Sequence, residues 1–322
     1  MTIHQMNEFD IFFLSFDEPN CEENWAKLQD IAPWAKRVHG VKGFDNAHKE
    51  CARQSETDRF ITVDGDNIVY PQFFETSITI PEKYNHCVLS WAARNVVNGL
   101  IYGNGGVKLW TREFVLNMRT HENAVRDEEK VDFCWDGSYI QMNNVYSDTC
   151  PNASPFQAFR AGFREGCKMT LDRGQKIKAL EIEQTVHWKN MQRLLVWLSL
   201  GADVENGVWT ILGTRLGLYM TNCQTEWDIA QISDYDWFKQ YFKEEIQPKF
   251  EGGKEFCPYT NYRWDKDKVV AESTRLKEVL NKELGLWIAD FNEEQSVFFK
   301  KVYQAPKRNV NPMLTEFEAD NA

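Results

Sequence analysis

Phe60-Ile61-Thr62-Val63-Asp64-Gly65-Asp66-Asn67 is the stretch that decides the fold. Four residues that favour an extended chain, three of them apolar, run directly into two carboxylates one residue apart. A run of this kind fits a buried strand. The glycine between the acids lets the backbone turn sharply, so both side chains can serve one site. Working back from it, residues 10–16 form another run apolar on both faces, ended by the turn sequence Asp17-Glu18-Pro19-Asn20. Trp25, Leu28 and Ile31 recur at helical spacing and predict a helix over 22–31. A short strand over 36–41, a helix over 47–55 and a strand over 59–63 follow. That order is βαβαβ, which predicts an α/β fold with a parallel sheet and right-handed crossovers. Ligands of such sheets sit at the carboxyl ends of the strands. The loops at 17–20, 43–46 and 64–67 are therefore expected to lie near one another.

Composition excludes several alternatives. The chain has 322 residues, of which 43% are hydrophobic, enough for a packed core. No apolar run approaches the roughly 20 residues of a membrane span. The amino terminus lacks a basic segment followed by an apolar one, which predicts no secretory signal. The eight cysteines include no C-x-x-C pair, so a reduced cytoplasmic protein without a zinc knuckle is expected. Forty-eight acidic against 37 basic residues give a net charge of −11. That balance argues against a protein that coats DNA, though not against an enzyme with one basic face. Most of the 12 tryptophans are expected in the core. Beyond residue 187 the spacing of Met191, Leu194, Leu195 and Leu198 starts a mostly helical region, and 300–322 is polar and expected to be loosely held.

The paired acids suit Mg²⁺ or Mn²⁺, which prefer hard oxygen ligands and keep positions open for phosphate oxygens. A metal there would bridge a nucleotide diphosphate. A solvated acidic turn is the plainer reading of the same residues. In the same loops, Asn20 and Glu23 also fit a helix cap and its partner. His48 suits either the nucleotide pocket or a helix surface.

The order of strand, acidic-Pro-Asn loop, helix, strand, helix, strand and D-x-D resembles that of GT-A nucleotide-sugar glycosyltransferases. Tyr102-Gly103-Asn104-Gly105-Gly106-Val107-Lys108-Leu109-Trp110 is similar to the strand and glycine loop beside the sugar in that family. The helix 111–116 and the stretch Ser154-Pro155-Phe156-Gln157-Ala158-Phe159-Arg160-Ala161-Gly162-Phe163-Arg164-Glu165-Gly166 continue the likeness, which covers about residues 8–185. Within the family, the motifs look like those of phage enzymes that sugar-modify hydroxymethylpyrimidines in DNA, the TET-associated glycosyltransferases.

The resemblance implies a GT-A domain over 1–186, Rossmann-like, with a mixed, mainly parallel sheet, and a helical accessory region over 187–322. It implies transfer of arabinose or a hexose from a UDP-sugar to 5-hydroxymethylcytosine in DNA, with Mn²⁺ or Mg²⁺. Ser15, Asp17, Glu18, Asn20, Gly43, Asp64, Gly65, Gly105, Gly106 and Arg164 would bind the donor. Asp64, Asp66 and His187 would hold the metal, with His121 as runner-up to the histidine. The family's acidic pair before the helix at 154 is missing, so the general base falls to Asp148 or Asp136 and the stereochemical course stays open. Residues 158–178 carry Arg160, Arg164, Lys168, Arg173, Lys176 and Lys178 against Glu165 and Asp172, a patch suited to DNA phosphates. Arg160 and Lys168 would contact the DNA, and Trp110, Trp135 or Tyr139 would stack on a flipped base. A polysaccharide, lipid-linked or protein acceptor, or an inert nucleotide-sugar-binding module, are the competing readings. The oligomeric state is not readable, and no membrane partner is expected.

Overall fold

The computed structural model describes residues 2–120, 123, 138–172, 175–178, 181–224, 226–305 and 315–317. After a short strand β1 (Thr2–Gln5) the expected alternation follows: β2 (Asp10–Ser15), α1 (Cys21–Ile31), β3 (Lys36–His39), α2 (Phe44–Gln54) and β4 (Arg59–Asp64). β2 lies between β3 and β4 and is parallel to both, with Leu14 opposite Val38 on one side and Asp64 on the other.

The rest of the sheet is built from β5 (Asn67–Val69), β7 (Val88–Asn95), β8 (Ile101–Thr111) and β9 (Tyr139–Thr149), with β6 (Ser77–Ile80) outside it. The seven strands run in the order β3-β2-β4-β8-β7-β9-β5. β4–β8, β8–β7 and β9–β5 are antiparallel, while β7–β9 is parallel. The sheet is thus mixed, with β8 and β5 running against the other five strands. For β8 the physical reason is the connection from β7, whose few residues can form only a hairpin; a parallel return needs a crossover of a dozen or more.

Alternation along the strands feeds two layers. Phe13, Ile61, Val63, Val107 and Leu109 pack with Leu28 of α1 and with Ala32 just after it. Phe12, Phe60 and Trp110 pack on the other face with Cys51 and Ala52 of α2 and with Val115 of α3 (Arg112–Asn117). Both faces are covered, so the strands read as unbroken apolar runs. A small second sheet places β6 between β1 and β14 (Thr315–Phe317), antiparallel to both.

The helical half begins with α4 (Pro155–Lys168), capped by the Ser154 hydroxyl, which accepts from the Gln157 N–H, and opened by Pro155 at the first position. The two-residue strands β10 (Leu171–Asp172) and β11 (Gln175–Lys176) follow, then α5 (Trp188–Ser199), α6 (Gly207–Cys223) and α7 (Tyr235–Tyr241). The hairpin β12 (Glu251–Cys257) and β13 (Tyr262–Trp264), α8 (Lys266–Leu284) and α9 (Glu293–Val302) complete it.

α4 and α6 cross with their backbones in contact. A Cβ at Gly162 would lie 2.0 Å from the Thr210 carbonyl oxygen, and one at Gly213 would lie 2.1 Å from that of Phe159. Gly166 and Gly217 repeat the approach one turn on, against Thr214 and Phe163. Arg215 of α6 is fully buried and donates to the Leu198 and Ser273 carbonyls and to Asp290, tying α5, α8 and the segment before α9 to one guanidinium. The helical core crosses residue 186: Met169, Ile182 and Val186 share a cluster with Leu194, Leu218 and Leu280.

Trp91, Trp110, Trp197, Trp209, Trp227 and Trp264 are buried, as expected of a tryptophan-rich core, whereas Trp34, Trp188 and Trp287 are exposed. Among the described residues no helix is long and apolar enough to cross a membrane.

Candidate functional site

Asp64 is the last residue of β4, and the Gly65–Asp66 turn passes directly into β5. Two bonds from other elements hold this turn, and a third braces Cys150, one of the donors. Asn24 of α1 donates to the Gly65 carbonyl at 3.0 Å, the Cys150 N–H donates to the Asp66 carbonyl at 2.7 Å, and Asn20 donates to the Cys150 carbonyl at 3.1 Å. The Asp66 carboxylate accepts from the Asn67 amide at 3.0 Å and the Thr149 hydroxyl at 3.3 Å. Glu18, accepting from the Phe16 N–H at 2.8 Å, lies so close that a Cβ on Gly65 would meet it at 2.8 Å. The loops at 17–20 and 64–67 therefore meet at the carboxyl ends of β2 and β4. The third loop contributes Gly43, whose left-handed φ of 94° starts α2, and Asp45, which is buried and bound to Thr120.

The site is electrostatically unbalanced. Burial raises Asp66 to about 6, with the Asp64 and Glu18 charges adding to the shift. Burial likewise raises Glu18, again with Asp64 contributing. Lys108, buried in β8, faces Asp64 at 3.5 Å. Burial pushes the neighbouring His48 down to about 4. Its Nδ1 lies 2.9 Å from the Phe44 carbonyl, so the proton sits there and Nε2 is left as a buried acceptor without a hydrogen-bond partner.

Two cations close the rim. Arg160 of α4 lies 4.3 Å from the centroid of the Tyr235 ring and 5.7 Å from that of Phe156, and its charge opposes the rise at Asp66. Lys239 of α7 forms an ion pair with Asp17 and lies near the Phe16 ring. Lys42 pairs with Asp236 at 3.1 Å and the Tyr259 hydroxyl donates to Glu23 at 2.8 Å, so the helical half is fastened along this edge of the sheet.

Several expected residues stand elsewhere. Asp148 accepts from the Tyr70 hydroxyl at 2.6 Å. Its strand neighbours Ser147 and Thr149 bond Asn67 and Asp66, and side chains alternate along a strand, so Asp148 projects from the opposite face. Trp110 is fully buried, with its indole N–H bonded to Thr62 at 2.7 Å, which removes it from any acceptor contact. Gly105 and Gly106 are required by protein rather than sugar: a Cβ would lie 2.2 Å from the Ala93 nitrogen and 2.1 Å from the Asn67 amide, respectively. Ser15 is buried and shared between Arg37 and His39. Arg164 has a buried Nε without a partner, one turn beyond Arg160. His187 caps α5, accepting from the Lys189 N–H at 3.2 Å and stacking on Trp188. Tyr139 packs edge-on against Trp110. Asp136, Trp135 and His121 lie outside the described residues. In the basic patch, Lys168 pairs with Glu165, Lys178 with Glu181, and Lys176 donates to the Trp227 carbonyl.

No family model, characterised protein or solved structure matches this chain. The chemistry of the site therefore has to be read from its own atoms. Among the described residues no group of three or more His, Cys, Asp or Glu side chains converges on one point to hold a metal ion. The donors beside the turn are nonetheless hard oxygens: Asp64, Asp66, Glu18 and the buried Asn20 Oδ1, which has no partner. That set fits Mg²⁺ or Mn²⁺ bound by two carboxylates, with the remaining positions filled by water or phosphate. Sequence reasoning missed Lys108, Asn24 and Lys239. Lys108 carried a signal, a lysine inside the apolar run Val107-Lys108-Leu109-Trp110, because a buried ammonium requires a carboxylate partner.

Proposed function

We propose that the chain is a metal-dependent glycosyltransferase that uses a nucleoside-diphosphate sugar. The observation that carries this reading is the placement of Glu18, Asp64 and Asp66 beside one turn at the carboxyl ends of β2 and β4, where the Asp64 charge opposes the ionisation of both Asp66 and Glu18. Such a site favours a bound cation. A divalent metal held by Asp64 and Asp66 would neutralise charge on a departing diphosphate. Arg160, its guanidinium held against Tyr235, supplies a second, fixed positive charge for phosphate oxygens. Asp148 is not proposed as the base, because its carboxylate is bound to Tyr70 on the other face.

The proposed donor is a UDP-sugar and the proposed acceptor is 5-hydroxymethylcytosine in DNA, both on the strength of the motif order. With Lys168 and Lys176 engaged within the fold and Lys239 paired with Asp17, contact with phosphates is assigned to Arg160 at the rim. The test incubates the chain with a panel of UDP-sugars, Mn²⁺ or Mg²⁺, and hydroxymethylcytosine DNA, a polysaccharide or no acceptor. UDP release and mass spectrometry of the digested nucleosides are the readouts. Metal-dependent UDP release is expected, with a sugar-sized mass shift on the nucleoside. Release with the polysaccharide alone would move the acceptor to that class. If no donor is consumed and calorimetry detects no UDP binding, the transferase reading is lost.

A further inference from the structure

Helix α9 is anchored by one stripe and bare along the other. Ser296 is buried, and Lys300 pairs with Asp203 and donates to the Val96 and Val97 carbonyls. On the opposite stripe Phe298 is 66% and Val302 54% exposed, and they border an apolar groove of about 510 Å³ that Phe291 and Phe299 also line. Trp287, a few residues before the helix, is 90% exposed. Single exposed apolar residues are ordinary, but a continuous patch with a groove is an interaction surface.

The charges on this stripe identify the occupant. Glu294 lies one turn before Phe298 and Lys301 about one turn after it. The adjacent charges are already used, Glu293 by Lys266 and Lys300 by Asp203. Glu294 and Lys301 have no ion-pair partner among the described residues. Along the helix the bare stripe thus runs acid, aromatic, base. Turned end for end, the same pattern is its own complement: acid meets base at both ends while Phe298 meets Phe298. A two-fold interface requires this property, because one patch must serve both sides.

We propose that a second copy of this chain docks on α9, helix against antiparallel helix. Phe298 lies on the two-fold axis, Glu294 of each copy faces Lys301 of the other, and the exposed Val302 adds to the apolar area that a stable pair needs.

Sedimentation velocity of the full chain across a concentration series tests this. A reversible monomer–dimer equilibrium is expected, and Phe298→Glu, at an exposed site that leaves the circular dichroism unchanged, should give monomer throughout. Glu294→Lys and Lys301→Glu alone should each weaken the dimer by about tenfold or more, since each sets like charges face to face. The two together restore opposite charges and should recover most of the affinity. A wild-type chain that stays monomeric at every concentration overturns the proposal, as does a dimer indifferent to Phe298→Glu. Single reversals that weaken the dimer without rescue by the double variant overturn the antiparallel pairing.

Discussion

At Asp66 function and stability oppose one another. Its pKa is raised from 3.8 to about 6, so between those values the folded chain keeps a proton that the unfolded chain has lost. Stability therefore falls as pH rises through that window and stays reduced above it. Asp66→Asn should make the metal-free protein more stable at pH 7 by about 1–2 kcal/mol, with the difference vanishing near pH 3.5. Urea titrations at the two pH values measure this, and the same variant should lose metal-dependent UDP release. His48 has the opposite sign. It is held neutral, its pKa lowered from 6.5 to about 4, so its contribution is present above pH 6.5 and is lost as pH falls toward 4. In urea titrations His48→Gln should be less stable than wild type at pH 7 and lose less stability on acidification to pH 4. The meeting of the 17–20 and 64–67 loops was legible in sequence, because the βαβαβ order sets both at the carboxyl ends of neighbouring parallel strands. The side of the sheet on which Asp148 falls was not, since the pairing of β7 with β9 is interrupted by register shifts that obscure the alternation.

Among the elements, the α4–α6 crossing is the least forgiving. A methyl group at Gly162 meets a backbone carbonyl, which cannot rotate away, so Gly162→Ala should cost about 3 kcal/mol or more in urea unfolding. Gly65→Ala is the contrast. There the methyl meets the far end of the Glu18 side chain, which can swing, and the Ser15 Cβ at 3.0 Å, which must give by a few tenths of an ångström, so the cost should be smaller, about 1 kcal/mol, while metal-dependent activity falls. Helices α1, α2 and α5 were readable in the sequence, and so was the βαβαβ unit. The pairing of α4 with α6 was not. Periodicity reports which face of a helix is apolar, and α6 is buried on nearly every side, so no face singles out α4 as its neighbour. β7 escaped for a related reason: a strand covered on both faces carries no alternation to count.

In the whole molecule, α4 precedes residue 186 and its packing partner follows it. A fragment ending at 186 would leave Phe159, Phe163 and the glycine face of α4 without α6, and the sheet edge without Lys239 and Tyr259. Such a fragment should show no cooperative transition by circular dichroism or differential scanning calorimetry. The sequence suggested a division at that point because the pattern changes from alternating strands to helices. A change of pattern marks a change of layer, which need not be a boundary between cores. The small sheet carries a consequence of another kind. β6 is flanked by a strand from near each end of the chain, β1 and β14, so its second edge is sealed only when a very long loop closes. Loop-closure entropy places such pairing late on the folding route. Until it happens, a bare strand edge faces other unfinished chains, and refolding yield should fall as protein concentration rises.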